Sequence, residues 1–123
     1  MSDNVRILIV EDEVISAMYL QVQLRILNYE ICKKVITGED AVKTALLEKP
    51  DVILIDIRLA GKLDGIQTIK EIQMHYNPIV VFMTGYQDEE LIEKAKGMVN
   101  SEILIKPFEI TEIHKLIQKH LHK

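Results

Sequence analysis

The sequence predicts an α/β fold in which helices cover both faces of a five-stranded parallel sheet. Short apolar runs of four to six residues alternate with longer segments of helical periodicity, which is the pattern of repeated βαβ units. Aromatic residues are few and Trp is absent, so the core is built from Ile, Leu, Val and Met. Four of the apolar runs stop at acidic, hydroxyl or amino side chains. Such side chains share one pocket when parallel strands end at the same edge of a sheet.

The first two strand–helix pairs follow from apolar runs and helix-end signals. We expect a strand at Val5–Val10, a helix from about Glu13 to Asn28, a strand at Glu30–Val35 and a helix at Gly38–Glu48. Asn28 is a typical helix stop, because Asn tolerates the left-handed conformation that ends many helices. The Thr37 hydroxyl and the Asp40 carboxylate form a variant of the capping box, which satisfies free N–H groups at the start of the second helix.

Three further pairs complete the pattern. We expect strands at Asp51–Asp56, Ile79–Met83 and Glu102–Ile105, helices at Gly65–His75 and from Asp88 to about Gly97, and a last helix with Ile110, Ile113, Ile117 and Leu121 on one stripe. Pro50 precedes the third strand, because proline cannot continue a helix, and Asp88 is suited to cap the fourth helix. Pro107 ends the fifth strand and makes a cis Lys106-Pro107 peptide bond accessible.

The order of the strands follows from their connections. Five strands joined by right-handed crossovers commonly take the order 2-1-3-4-5 in a doubly wound sheet. This order places the first and third strands side by side, so the residues that follow these strands face one another. The methionines fall at apolar positions, and we expect the core to contain Met18, Met74, Met83 and Met98.

Size and composition limit the class of protein. The chain has 123 residues, of which 48% are hydrophobic, so we expect one domain over residues 1–123. A net charge of -4 and a pI near 5.5 argue against a nucleic-acid surface. No apolar run approaches the roughly 18 residues of a membrane span, and no charged-then-apolar leader opens the chain. We therefore expect a cytoplasmic protein that binds neither nucleic acid nor membranes.

Five side chains after the predicted strands suit metal and phosphate chemistry. Glu11 and Asp12 follow the first strand, Asp56 the third, Thr84 the fourth and Lys106 the fifth. Carboxylates held a few ångströms apart repel one another, which favours a hard divalent ion such as Mg²⁺ between them. The hydroxyl and the ammonium supply what the oxygens of a phosphoryl group on Asp56 require. A carboxylate is an adequate nucleophile under these conditions, and Asp56 is the best-placed acceptor.

With these residues in register, the chain resembles the receiver domain of two-component response regulators over essentially its whole length. The motifs that carry the resemblance are Glu11-Asp12, Asp56, Thr84, Lys106-Pro107-Phe108, the DIRLAGKLDG loop at 56–65 and the GEDAV opening of the second helix. The resemblance implies a flavodoxin-like doubly wound (βα)5 fold. It also implies a protein that catalyses its own phosphorylation and dephosphorylation but is not a turnover enzyme.

The resemblance assigns roles to the acidic residues. Asp56 would accept a phosphoryl group from a histidine kinase or a histidine phosphotransfer protein. Asp12, Asp56 and the backbone carbonyl of Arg58 would hold Mg²⁺, with Glu11 contributing through water. These assignments carry the family's residues onto matching positions of this chain.

The resemblance also implies how phosphorylation is reported. The Thr84 hydroxyl and the Lys106 ammonium would bind phosphoryl oxygens, and the loop after the fourth strand would move inward. That movement would reach the face made by the fourth helix, the fifth strand and the fifth helix. Leu91, Ile92 and Ile103 on this face suit a transient output partner or a homodimer.

The chain departs from the family pattern at positions that affect signalling. Ile103 stands where many relatives carry a Tyr or Phe whose rotamer couples to the threonine, and Tyr86 is a candidate substitute. The loop from Asp56 to Gly65 is one residue longer than the commonest version and lacks its usual Met-Pro. Because bulky side chains at Arg58 and Tyr86 hinder an attacking water, we expect a fairly long-lived phosphoryl state.

Three alternatives stay open on sequence grounds. A phosphorylation-independent interaction module would keep the fold, although the complete acidic, Thr and Lys set argues against it. A flavodoxin-like electron carrier shares the topology, but Glu11-Asp12-Glu13 would repel the cofactor phosphate. An aspartate-based phosphatase requires a second acid two residues after its nucleophile, and position 58 is Arg.

Overall fold

The computed structural model describes residues 4–85 and 87–122, and strands and helices alternate along these residues. Their bounds are β1 Arg6–Val10, α1 Val14–Ile26, β2 Glu30–Val35, α2 Gly38–Glu48, β3 Val52–Asp56, α3 Gly65–Gln73, β4 Ile79–Thr84, α4 Glu89–Lys96, β5 Ser101–Ile105 and α5 Ile110–Leu121. The elements confirm the predicted order, with ends that differ by one or two residues. Every pair of neighbouring strands is parallel.

The sheet has the predicted order β2-β1-β3-β4-β5. Its register places Val10 beside Ile55 and Asp56 beside Met83, so β1, β3 and β4 end at nearly the same level. The residues after β1 and β3 are therefore neighbours in space, as the strand order predicts. This edge of the sheet carries the candidate site described below.

Two apolar layers cover the sheet. One lies beneath α1 and α5 and includes Leu20 and Ile113, and the other lies beneath α2, α3 and α4 and includes Ile69 and Ala95. The central strands β3 and β4 contribute to both layers, and their apolar residues are buried. Continuous apolar runs are required where a sheet is covered on both faces, which is why the sequence pattern located these strands.

Local hydrogen bonds set the helix ends. The Thr37 hydroxyl accepts a hydrogen bond from the Asp40 N–H at 3.1 Å and begins α2, as predicted. Asn28 follows α1 with a φ of 70°, the left-handed conformation expected of a helix stop, although the helix itself ends at Ile26. A capping box that the sequence analysis missed, between Asp64 and Gln67, begins α3.

The prediction that the methionines fill the core is wrong for two of them. Met83 is 1% exposed, but Met18 is 52% and Met74 is 80% exposed. A helix that covers one face of a sheet buries a single stripe, and the buried residues of α1 are Ala17, Leu20 and Leu24. Met18 lies outside that stripe, and Met74 follows the last turn of α3.

Among the helices within residues 4–85 and 87–122, none has both the length and the apolar character that a membrane crossing requires.

Candidate functional site

Four of the predicted site residues, Glu11, Asp12, Asp56 and Lys106, lie together at the carboxyl edge of the sheet, and Thr84 ends the adjoining strand β4. Carboxylate oxygens of Glu11, Asp12 and Asp56 lie within 4.8 Å of one another. The Lys106 Nζ lies 3.2 Å from Asp56 Oδ2 and 3.8 Å from Glu11 Oε2. Lys106 is also tied to β4, because its N–H donates to the Thr84 carbonyl at 2.8 Å.

The backbone around Asp56 fixes the position of its carboxylate. The Arg58 N–H donates to Asp56 Oδ1 at 2.9 Å, and the Ile57 N–H donates to the Met83 carbonyl at 2.9 Å. Gly65 begins α3 directly against this turn: a Cβ at that position would lie 2.6 Å from the Asp56 carbonyl oxygen. Only glycine allows α3 to approach so closely, so Gly65 holds the end of β3 in place.

The site concentrates negative charge in a partly buried position. Glu11 is 3% exposed, and burial together with the nearby Asp56 carboxylate raises its pKa to about 7. Burial lowers the pKa of Lys106, but attraction to Asp56 and Glu11 outweighs it, so that the Lys106 pKa is raised overall. The Lys106 ammonium thus offsets part of the charge of Asp56 and Glu11, but burial and repulsion by Asp56 still hold the pKa of Glu11 above its ordinary value.

The donor set fits a hard divalent cation. Three carboxylates converge within the described part of the chain, and Mg²⁺ prefers oxygen ligands and is commonly held by one or two carboxylates with water and phosphate. The Arg58 backbone adjoins the same carboxylate, since its N–H contacts Asp56. The expected ligands Glu11, Asp12 and Asp56 therefore lie close enough together that they would hold a single ion.

Thr84 is 1% exposed, and its hydroxyl donates to Asp88. The Thr84 Oγ1 lies 2.7 Å from Asp88 Oδ2, while the Gly85 carbonyl is a second acceptor at 3.1 Å. The guanidinium of Arg58 also donates, through Nε, to the other Asp88 oxygen. Hydrogen bonds from Thr84 and Arg58 lower the pKa of Asp88 despite its burial. Asp88 is a member of the site that the sequence analysis assigned only to a helix cap.

The predicted capping role of Asp88 is wrong for its side chain. Asp88 occupies the N-cap position of α4, but its carboxylate makes no cap hydrogen bond to this helix, all of whose residues are described. An N-cap side chain typically contributes about 1 kcal/mol to helix stability. The sequence spacing could have indicated the contact with Thr84, because a carboxylate four residues after the end of β4 is near enough to fold back onto that end.

Two cavities open beside the site. The first, of about 430 Å³, lies between α1 and the segment after β5, with Ile15, Tyr19 and Phe108 in its apolar wall and Glu11 and Lys106 also lining it. The second, of about 540 Å³, opens over Asp56 and is bordered by Arg58, Asp88 and Lys106 among other residues. The phosphoacceptor candidate is thus accessible from outside. The Lys106-Pro107 peptide bond is cis.

The remaining predictions concern signalling positions. Ile103 is partly buried in β5, and this aliphatic side chain packs against the apolar layer beneath α4. Tyr86, which the sequence analysis named as a substitute and as a brake on phosphoryl loss, lies outside the described residues. The Arg58 side chain is 69% exposed while it contacts Asp88.

Comparison with known proteins gives one consistent family. The family model described as the response regulator receiver domain matches residues 7–118. Among curated proteins, the chain is 34% identical to the transcriptional regulatory protein PdtaR of Mycobacterium tuberculosis over 113 residues, covering 92% of this chain and 55% of that protein. It is 31% identical to sporulation initiation phosphotransferase F of Bacillus subtilis, covering 96% of this chain and 94% of that protein.

Solved structures support the same relationship. The signal receiver domain of a modulated diguanylate cyclase from Desulfovibrio desulfuricans superimposes with a TM-score of 0.88 and 36% identity, covering 98% of this chain and 95% of that one. The receiver domain of a sensor histidine kinase from Pseudomonas aeruginosa, with a magnesium ion coordinated in its active-site cleft, gives a TM-score of 0.85 and 28% identity. That match covers 98% of this chain and 99% of the other.

Proposed function

Because the chain belongs to the response regulator receiver domain family of two-component systems, we propose that it accepts a phosphoryl group on Asp56 from a phosphohistidine donor. The observation that carries this proposal is the convergence of Glu11, Asp12 and Asp56 with the Lys106 ammonium at an open cavity. The donor is a histidine kinase or a histidine phosphotransfer protein, as expected for the family.

The chemistry is a phosphoryl transfer between nitrogen and oxygen. An Asp56 carboxylate oxygen attacks phosphorus, the P–N bond of the donor histidine breaks, and its electron pair returns to the imidazole. Glu11, Asp12, Asp56 and the Arg58 carbonyl would hold Mg²⁺, which neutralises charge on the transferring group when it is bound. Lys106 is already 3.2 Å from Asp56 and supplies a fixed positive charge for a phosphoryl oxygen.

Thr84 supplies the other donor to the product. Thr84 lies at the end of β4, where its backbone carbonyl accepts a hydrogen bond from the Lys106 N–H, and its hydroxyl can donate one hydrogen bond to a phosphoryl oxygen. The chain would thereby promote its own phosphorylation and, with water as the attacking group, its own dephosphorylation. It turns over no external substrate in this scheme.

The donor protein would dock on α1. Large apolar side chains are exposed along this helix, namely Val14, Ile15, Met18, Tyr19, Val22 and Ile26. Ile15 and Tyr19 also line the cavity that contains Glu11 and Lys106, so this apolar surface is continuous with the site. A donor histidine has to reach Asp56 at the sheet edge, and a protein that carries it covers the adjoining helix.

The output would leave through the α4–β5–α5 face. Leu91, Ile92 and Ile103 are partly exposed there and suit a transient partner or a homodimer.

We propose further that residues 1–123 form one receiver domain, which works in the cytoplasm without direct nucleic-acid or membrane binding. The chain spans about half the length of PdtaR.

Intact-mass analysis after incubation with Mg²⁺ and a small phosphodonor tests the proposal. We expect one phosphoryl adduct on the wild-type protein and none on Asp56→Asn, which keeps the shape of the side chain and removes the nucleophile. Asp51→Asn is the matched control, because Asp51 immediately precedes β3, at the end of the strand opposite Asp56, and its substitution should leave the adduct unchanged. An unmodified wild-type protein would favour the phosphorylation-independent interaction module instead.

A further inference from the structure

The Asp88 carboxylate has two possible sets of partners within reach of its backbone position. Asp88 stands at the N-cap of α4, from which an Asp side chain ordinarily accepts hydrogen bonds from the first turn of its own helix. In this structure it accepts from the Thr84 hydroxyl at 2.7 Å and from Arg58 Nε. It is 5% exposed, so these donors replace most of the water that would otherwise solvate the carboxylate.

The same two donors are the ones that a phosphoryl group on Asp56 attracts. Thr84 has one hydroxyl proton, and the phosphoryl oxygens are acceptors only. Arg58 is two residues from Asp56, its side chain is 69% exposed, and both residues border the cavity over the site. Thr84 cannot donate its single proton to Asp88 and to a phosphoryl oxygen at the same time.

Loss of the Thr84 and Arg58 hydrogen bonds would leave the buried Asp88 carboxylate short of donors, with the Gly85 backbone as its remaining contact among the described residues, which is unfavourable for a carboxylate. The N–H groups of Glu90 and Leu91 in the first turn of α4 are alternative donors, because such groups have no acceptor within the helix. Asp88 already occupies the backbone position from which a side chain reaches them. The exchange therefore requires a local adjustment between the end of β4 and the start of α4.

Resting on the proposed phosphorylation of Asp56, we propose that Asp88 is a positioning residue that exchanges partners when the site is phosphorylated. In the resting protein it holds the Thr84 hydroxyl and the Arg58 guanidinium. In the phosphorylated protein these donors turn to the phosphoryl group, and the Asp88 carboxylate caps α4. The exchange transmits phosphorylation to α4 and requires no aromatic residue at position 103.

Backbone amide resonances with and without Mg²⁺ and beryllofluoride, a stable mimic of the phosphoryl group, test the exchange. In the wild-type protein we expect the Glu90 and Leu91 amide protons to move downfield when the mimic binds, because they become hydrogen-bonded. Asp88→Ala has no side-chain acceptor, so this downfield movement should be lost. Resonances of Ile57 and Arg58 should still respond in this variant, because they report the occupied site.

A second variant gives the opposite expectation. Serine caps helices well but is shorter than aspartate, so Asp88→Ser should cap α4 without holding Thr84. Its Glu90 and Leu91 amides should already resemble those of the mimic-bound wild type before the mimic is added. Glu89→Ala is the matched control, because it removes an equal charge from an exposed neighbour and should respond as the wild type does.

The outcomes separate this proposal from the function on which it rests. An unchanged wild-type spectrum on addition of the mimic, at Ile57 and Arg58 included, overturns both. If the Glu90 and Leu91 amide protons move downfield equally in the wild type and in Asp88→Ala, the exchange is overturned but the proposed phosphorylation is not. If Asp88→Ala does not fold, the Asp88→Ser variant decides. The exchange is overturned if the Glu90 and Leu91 amides of this variant are not hydrogen-bonded before the mimic is added. It is also overturned if these amides shift as far as those of the wild type when the mimic is added.

Discussion

The two surfaces that adjoin the site, the outer face of α1 and the face of α4, have opposite chemistry. The outer face of α1 exposes large apolar side chains, with Ile15 at 79% and Ile26 at 68%. The exposed positions of α4 are charged residues, and the helix buries one residue, Ala95. An apolar face does not depend on the state of the site, whereas α4 is connected to it through hydrogen bonds of Asp88. Under the proposed roles, the α1 surface that would receive the donor is already formed in the resting protein, while the α4 surface depends on hydrogen bonds that phosphorylation would exchange.

The largest expected effect tests whether the α1 face receives the donor. Met18→Glu places a charge in the exposed apolar surface, and desolvating that charge should reduce phosphotransfer from a phosphohistidine protein by about tenfold or more. Transfer from a small phosphodonor should be unchanged, because that donor needs no protein contact. Both rates can be followed by phosphoprotein electrophoresis.

Met74→Glu is the control for this substitution. Met74 is 80% exposed and belongs to the opposite layer of the molecule, after α3. The Met74→Glu variant should be phosphorylated at the wild-type rate by either donor. Equal losses in the two variants would show that the α1 face has no special role.

The next effect concerns the charge of Glu11 in the site, which both surfaces adjoin. Burial and Asp56 raise the pKa of Glu11 to about 7, and an ion such as Mg²⁺ competes with the proton there. Mg²⁺ affinity should therefore fall by up to about tenfold for each pH unit below about 7. Titrations followed by the Arg58 amide resonance at several pH values measure this. In Glu11→Gln the dependence should largely disappear, and a slope equal to that of the wild type would contradict the assignment.

A smaller effect of the same group appears in the stability of the metal-free protein. The pKa of folded Glu11 lies above its ordinary value of 4.5, so the folded state binds the proton more tightly than the unfolded state. This contribution is complete below about pH 4.5 and is lost as the pH rises through about 7. We expect it to lower the free energy of unfolding by on the order of 1–3 kcal/mol over that range, relative to Glu11→Gln. Urea denaturation with a chelator present gives both values.

The smallest effect is expected on the surface of α4. Lys96 and Glu93 form an exposed ion pair at 3.0 Å, with side chains 61% and 73% exposed. Pairs of this kind contribute little, so Glu93→Ala should change the free energy of unfolding by less than about 0.5 kcal/mol and leave phosphorylation unchanged. A loss of several times that size would mean that α4 charges stabilise the fold rather than remain available for a partner.

The sequence predicted the strands well because burial on both faces leaves a local signal. The apolar runs that became β3 and β4 are uninterrupted, and the polar residues Asp56 and Thr84 mark where those strands end. The site followed from the strand order, since parallel strands bring their carboxyl ends to one edge. The helices were harder to interpret, because the sequence shows which residues are apolar but not which of them meet the sheet.

Met18 and Asp88 show that the local sequence decides neither the burial of a side chain nor its hydrogen-bond partners. Met18 has the same side chain as Met83, yet one is exposed on α1 and the other is buried in β4. Asp88 has the position of a helix cap, yet its carboxylate bonds to Thr84 and Arg58.

By itself, the sequence determined the alternation of strands and helices, the order of the sheet and the residues gathered at its edge. These features follow from periodicity and from where each apolar run stops. Only the tertiary structure decided that α1 keeps an apolar face uncovered and that Asp88 turns from its own helix to the end of β4. The physical reason is that burial and hydrogen bonding depend on which groups from distant segments lie within a few ångströms, and neighbours along the chain do not specify those groups.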